Sequence, residues 1–159
     1  MSWTKVVCLV VAGALISTSQ ILAQCSSQDL EKLELDKQKK DIATVQRLEH
    51  AWSVAYLRGN TAFERCLLAP DFMEILSDGA IKHLNDELAL AKNNEGNNLP
   101  LSGLPAVTVH LRGNVAAAYG VSESKTANGS TRRKHFVDYY VWEKTAWRVF
   151  FAQQTPISD

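Results

Sequence analysis

The stretch that decides the fold is HFVDYYVWEKTAWRVFFAQQ, residues 135–154. Aromatic and β-branched residues dominate it, and the polar pair at 144–145 divides it in two, which predicts an antiparallel hairpin. A tight turn there sets Asp138 opposite Phe151. Because side chains alternate between the two faces of a strand, Asp138 and Gln153 then lie diagonally on one face, within reach of a hydrogen bond. The hairpin therefore carries one polar centre inside an aromatic wall.

Asp138 is the unusual residue of this hairpin, since a lone carboxylate is costly to bury unless it is partnered, neutralised or exposed to a wet cavity. In one interpretation the apolar wall raises its pKa and Asp138 acts as a general base beside a carbonyl group. In the other, Gln153 and nearby donors hold the carboxylate, which then only fixes the geometry of the sheet. The sequence leaves both interpretations open.

The elements before the hairpin indicate helices first and strands afterwards. An apolar stripe at helical spacing predicts a helix from Asp41 to Gly59, with Glu49 placed away from the stripe. A second helix follows from Thr61, and a third is capped by Asn85. Strands are predicted at 72–76, 107–111, 115–125, 134–143 and 147–153, with a loop over 93–105. This order predicts an α+β fold in a single domain.

Residues 1–23 have the composition of a secretory signal peptide, with an apolar run and a small residue, Ala23, at the cleavage position. Cys25 just after that run keeps a lipoprotein signal as the less favoured alternative. Residues 24–40 form a charged N-terminal extension. Cys25 and Cys66 can pair in an oxidising compartment, but a small, buried, apolar Cys66 is slightly preferred.

Three segments, EHAWSVAYLRGN, LLAPDFMEILSDGAIK and HFVDYYVWEKTAWRVFFAQQTPI, occur in this order within residues 41–157. Their order and spacing resemble the SnoaL-like, nuclear-transport-factor-2-like superfamily, in its small branch with a ketosteroid-isomerase-like fold. The resemblance implies a long N-terminal helix and short helices packed in a strongly curved antiparallel sheet, a cone-shaped, cystatin-like α+β barrel. It also implies dimerisation through the sheet and a pocket bordered by Trp52, Tyr56, Phe72, Asp138, Tyr140 and Gln153.

Other classes of function have little support in the sequence. Basic and acidic residues number 17 each, so the net charge does not favour binding to nucleic acid or to an anionic membrane. The four histidines lack metal-ligand spacing, and we expect neither a metal nor another cofactor. Residues 132–134 form one basic cluster, which we interpret as a solvated strand edge.

Three functional hypotheses follow. The first is a secreted or periplasmic protein that binds a small apolar ligand in a conical pocket around an Asp138–Gln153 centre. The second is an isomerase or lyase that uses the same pocket, with Asp138 as general base. The third is a dimeric interaction module that uses the second apolar face of the sheet.

Overall fold

The computed structural model describes residues 38–96, 104–125 and 128–158. Three helices are described: α1 (Ile42–Arg58), α2 (Thr61–Leu67) and α3 (Leu84–Lys92). Six strands accompany them: β1 (Leu68–Ile75), β2 (Ile81–His83), β3 (Thr108–Arg112), β4 (Val115–Lys125), β5 (Thr131–Glu143) and β6 (Ala146–Pro156). The predicted signal peptide, nearly all of the charged extension and much of the predicted loop lie outside the described residues. Across the described ranges, no helix is long and apolar enough to cross a membrane.

The six strands form one curved, unclosed sheet in the order β2-β1-β6-β5-β4-β3. The α+β prediction is confirmed, with one difference in strand direction. β1 and β6 run parallel, whereas the other four neighbouring pairs are antiparallel. The parallel pair arises because β1 is separated from β6 by most of the domain and is not joined to it by a hairpin.

The helix ends follow from local capping. Asp41 accepts a hydrogen bond from the backbone N–H of Thr44 at 2.7 Å and begins α1. Gly59 ends it in the left-handed region, with φ 70°, as predicted. A Cβ at Gly59 would also meet the backbone nitrogen of Glu95 at 2.6 Å, so glycine permits the close approach of the chain beyond α3.

The second helix begins at Thr61 as predicted, but the residues that cap the next two helices differ from those predicted. Asn60, not Thr61, caps α2 by accepting from the backbone N–H of Phe63 at 3.1 Å. α3 begins after His83, whose backbone N–H donates to Asp86 at 2.9 Å, and Asn85 lies inside the helix. These shifts of one or two residues are typical of helix ends.

The hydrophobic core lies between the helices and the concave face of the sheet. Its largest fully buried side chains include Trp147, Tyr140, Phe63 and Phe72. The Trp147 indole N–H donates to the backbone oxygen of Lys39 at 3.0 Å, which fixes the start of the domain to β6. The three described helices thus pack against the concave face of the sheet.

The predicted register of the hairpin holds near its turn and is wrong further along. Trp142 pairs with Trp147 as expected, but a bulge between Tyr139 and Tyr140 shifts the register by one residue. Asp138 therefore pairs with Ala152, and not with Phe151. A slip of one residue moves every following side chain to the other face.

Candidate functional site

A cavity of about 790 Å³ lies between α1, α3 and the concave face of the sheet. Its apolar lining includes Trp52 and Leu57 from α1, Leu76 after β1, and Phe136 from β5. Gly120 on β4 pairs with Phe136, and a Cβ there would lie 2.9 Å from its ring. Glycine at this position thus allows the Phe136 ring to lie across β4 as part of the cavity wall.

Two hydrogen-bonded carboxyl groups form the polar centre of the cavity lining. Glu49 from α1 and Asp138 from β5 both line the cavity, and their carboxyl groups are hydrogen-bonded to each other. The Tyr140 hydroxyl donates to Oε1 of Glu49 at 2.6 Å. All three residues are buried, with Tyr140 fully inaccessible. The pair is therefore held by both the helix and the sheet.

The protonation of this pair follows from burial. Desolvation raises the pKa of Glu49 to about 7, even though the hydrogen bonds from Tyr140 and Asp138 lower it. Desolvation, followed by the charge of Glu49, raises the pKa of Asp138 well above its ordinary value. Their mutual hydrogen bond favours ionisation of Glu49 and protonation of Asp138. Within the pair Asp138 is thus the acid that holds its proton more tightly and donates to Glu49, and the pair loses its first proton near neutral pH.

A second polar cluster lies along the wall formed by β1, β2 and α3. Lys82 bridges two buried carboxylates, with its Nζ 2.5 Å from Glu87 and 2.7 Å from Glu74. The side-chain amide of Gln154 donates to Glu74 at 2.5 Å, and its oxygen accepts from Lys134 Nζ at 2.6 Å. This chain of contacts links α3, β1, β6 and β5 across the cavity wall.

Glu64 on α2 is a further buried acid behind this wall. It is fully buried, and neither carboxyl oxygen has a hydrogen-bond partner among the described residues. Burial and then the charge of Glu87 raise the pKa of Glu64 to about 8, while Lys82 lowers it. Glu64 is therefore mostly protonated at neutral pH.

The structure brings together three of the six residues predicted for the pocket. Trp52, Tyr56 and Asp138 line the cavity. Phe72 is a core residue, 1% exposed, that supports the wall by an edge-to-face contact with Trp52 at 6.1 Å between ring centroids. Tyr140 lies in the core behind the cavity, where it contacts the polar pair.

Gln153 is the sixth predicted residue, and the structure places it on the opposite face. The bulge in the hairpin sets Gln153 against Val137, and its side chain is exposed. The predicted Asp138–Gln153 pair is therefore wrong. Gln154 takes the position on the cavity face, opposite Phe136.

Two charged residues that line the cavity were predicted from the sequence to lie at the protein surface. Glu49 follows Val45 by four residues and precedes Trp52 by three, so it belongs to the buried stripe of α1. Glu49 was predicted to be exposed because its side chain is charged, although its spacing matches the buried stripe. Lys134 is the second: strand alternation separates it from Arg133, which pairs at the exposed edge with Glu123 at 3.2 Å. The interpretation of residues 132–134 as one solvated edge is therefore wrong for Lys134.

Cys66 at the end of α2 is buried and disulfide-bonded. The preferred interpretation of Cys66 as an unbonded apolar residue is therefore wrong. The bonding partner lies outside the described residues.

Solved structures share this architecture. An NTF2-like protein from Cytophaga hutchinsonii aligns with a TM-score of 0.59 at 12% identity, covering 76% of this chain and all of the other. The chain has the NTF2-like fold. The association domain of C. elegans CaMKII shares the NTF2-like fold with this chain at a TM-score of 0.58 and 13% identity, covering 71% and 93% of the two chains. A protein with a cystatin-like fold from Caulobacter vibrioides aligns with a TM-score of 0.53 at 13% identity, covering 72% of this chain and 87% of the other.

No family model and no curated protein matches the sequence. At these identities the structural likeness defines the NTF2-like fold, and function has to be argued from the site.

Proposed function

We propose that the protein binds a small, largely apolar ligand in the cavity, and that an O–H or N–H group of this ligand donates a hydrogen bond to the Glu49–Asp138 pair. The observation that carries the proposal is the placement of two hydrogen-bonded, buried carboxyl groups in the lining of a 790 Å³ cavity. Cavities of about 300–1,000 Å³ with a few convergent polar groups are typical of small-molecule sites. Glu49 lines the cavity, and when ionised it has lone pairs left after accepting from Asp138 and Tyr140.

Calorimetric titration with 2-naphthol tests this proposal, with 2-methoxynaphthalene as the matched ligand that lacks a donor. We expect 2-naphthol to bind more tightly at pH 8 than at pH 6, because Glu49 loses its proton in this range and an ionised acceptor forms the stronger hydrogen bond. Glu49→Gln should remove this pH dependence, whereas Asp138→Asn should keep it because the amide still donates to Glu49.

Asp71→Asn is the matched control, since Asp71 is an exposed aspartate on β1. It should leave both the affinity and its pH dependence unchanged. Absence of 2-naphthol binding to the folded wild-type protein would refute the proposal. Equal binding of 2-naphthol and 2-methoxynaphthalene at both pH values would refute the role of the carboxyl pair.

Proton transfer is a second candidate function, favoured by the pKa of about 7 at Glu49. A general base is most effective when its pKa lies near the working pH. The residue that accepts the proton is then Glu49, while Asp138 and Tyr140 orient it. Deuterium exchange at the α-carbon of 2-tetralone, followed by NMR, tests this function: catalysed exchange should disappear in Glu49→Gln and persist in Asp71→Asn. Exchange that is equal in wild type and Glu49→Gln would contradict it.

Self-association through the outer face of the sheet is a third candidate. This face carries exposed apolar side chains, with Val115 42% and Tyr119 45% exposed on β4. Exposed apolar groups that cluster on one sheet face are typical of protein interfaces. One structural neighbour is an association domain. Sedimentation velocity should show a dimer that Tyr119→Lys dissociates; a monomer at high concentration would contradict this proposal.

We also propose export from the cytoplasm, as a protein processed after Ala23. The disulfide at Cys66 supports it, because stable disulfides are typical of oxidising compartments. N-terminal sequencing of the protein recovered from its host should find Gln24 as the first residue. An N-terminus at Met1 would contradict export by a cleaved signal, and a lipid-modified Cys25 would favour the lipoprotein alternative.

A further inference from the structure

Two hydrogen-bond donors in the cavity lining can form hydrogen bonds beyond those present in the structure. Lys134 on β5 is half-buried, and its ammonium makes one hydrogen bond, to Gln154, with no ion pair within 4.0 Å among the described residues. Ser122 on β4 also lines the cavity, and its hydroxyl is buried without a hydrogen-bond partner in the described part of the chain. An ammonium and a hydroxyl left in this state can both donate to a ligand.

These two donors are neighbours on the same face of the sheet. Lys134 and Ser122 form a cross-strand pair, which sets their Cβ atoms about 4.5–5.5 Å apart. Phe136 and Asp138 continue the same face of β5 at two-residue intervals. At about 3.3 Å per residue, the strand from Lys134 to Asp138 spans about 13 Å. The cavity thus presents a cation and a hydroxyl, then an aromatic ring, then the carboxyl pair along one line.

The surrounding charges limit the anion that this end of the cavity can accept. Lys82 is already paired with both Glu74 and Glu87, so that cluster carries one net negative charge. Lys134 adds one positive charge nearby. These four side chains together are neutral, so a carboxylate adds one negative charge, which hydrogen bonds from Lys134 and Ser122 can stabilise. A dianion such as a phosphate monoester would add two and meet stronger repulsion from Glu74 and Glu87.

We propose that Lys134 and Ser122 form the binding site for a carboxylate, and that the ligand is an elongated, ring-containing hydroxy acid whose hydroxyl group reaches the Glu49–Asp138 pair. This inference rests on the proposed binding function and adds the chemical class of the ligand. The ligand ring lies against Phe136, and its carboxylate bridges β4 and β5. The length of the site selects acids whose two polar groups are separated by a rigid apolar body.

Calorimetry with three naphthalenes tests the site: 6-hydroxy-2-naphthoate carries both groups, 2-naphthoate lacks the hydroxyl, and 2-naphthol lacks the carboxylate. We expect the hydroxy acid to bind most tightly. Lys134→Met should weaken both acids about tenfold or more and leave 2-naphthol within about twofold, since a hydrogen bond to a charged group is lost only with the acids. Lys134→Arg should restore most of the affinity for the acids.

Ser122→Ala gives a second test that is less disturbing to the fold, with Ser77→Ala as its control. Ser77 is exposed in the turn after β1 and is not part of the cavity lining. Ser122→Ala should weaken the acids about threefold to tenfold, and Ser77→Ala should leave them unchanged. Melting temperatures of all variants confirm that each is folded at the temperature of titration.

The possible failures are distinguishable. If 2-naphthol binds but the carboxylate adds no affinity, or if Lys134→Met weakens 2-naphthol as much as the acids, the carboxylate site is refuted and the proposed function stands. If none of the three compounds binds the wild-type protein, both are refuted.

Discussion

Replacing Glu64 by Met should stabilise the protein increasingly as the pH rises. The pKa of Glu64 is raised from 4.5 to about 8 in the folded state, so folding favours the protonated acid. Its contribution to stability is therefore greatest below pH 4.5 and is lost as the pH rises from about 4.5 to about 8. A difference of 3.5 between the folded and unfolded pKa corresponds to about 5 kcal/mol at 1.36 kcal/mol for each unit. About half of this loss falls between pH 5 and pH 7.

Urea unfolding at pH 5, 7 and 9 under non-reducing conditions measures this effect, since the disulfide at Cys66 lies close by. The free energy of unfolding of Glu64→Met should exceed that of wild type by an amount that grows by about 2–3 kcal/mol from pH 5 to pH 7. Glu64→Gln is the control, because it removes the titration but keeps a buried polar group. Glu64→Gln should reduce the pH dependence of the free energy of unfolding as Glu64→Met does. It should not raise that free energy at pH 5 as much as Glu64→Met does. A constant difference between wild type and Glu64→Met at all three pH values would refute the argument.

Two further substitutions test the walls of the cavity. Tyr140→Phe should cost about 2 kcal/mol at pH 8 and less at pH 5, because the lost hydrogen bond is strongest to ionised Glu49; equal costs in urea unfolding at both pH values would contradict this. Gly120→Ala should cost about 1–3 kcal/mol, since its Cβ would lie 2.5 Å from the backbone oxygen of Ala106 and displace the Phe136 ring. It should also weaken 2-naphthol binding, and unchanged affinity would contradict the placement of that ring.

Most of the fold could be predicted because each element carries its own local signal. The stripe of α1 with Gly59 at its end gives a helix, and the aromatic hairpin gives β5 and β6. The pairing of β1 with β6 could not be predicted in the same way. It is parallel and joins segments far apart in the chain, so no turn between them records it.

The site was predicted less completely than the fold, for two physical reasons. First, the bulge beside Tyr139 is a tertiary feature with no clear local signal. It places Gln154, instead of the predicted Gln153, on the cavity face. Second, Glu49 and Lys134 are charged residues at buried positions, which a pattern of apolar residues assigns to the surface. Their burial depends on partners on other strands and helices.

The proposed site depends most directly on the protonation of Glu49 and Asp138, which side-chain carboxyl ¹³C NMR can follow through a pH titration. Glu49 should titrate with a midpoint near pH 7, and Asp138 should remain protonated well beyond its usual range. Asp138→Asn should keep the Glu49 midpoint raised, because burial is its main cause. If both carboxyl groups titrate below about pH 5, as unperturbed acids do, the buried proton-sharing pair is not present and the proposed site is contradicted.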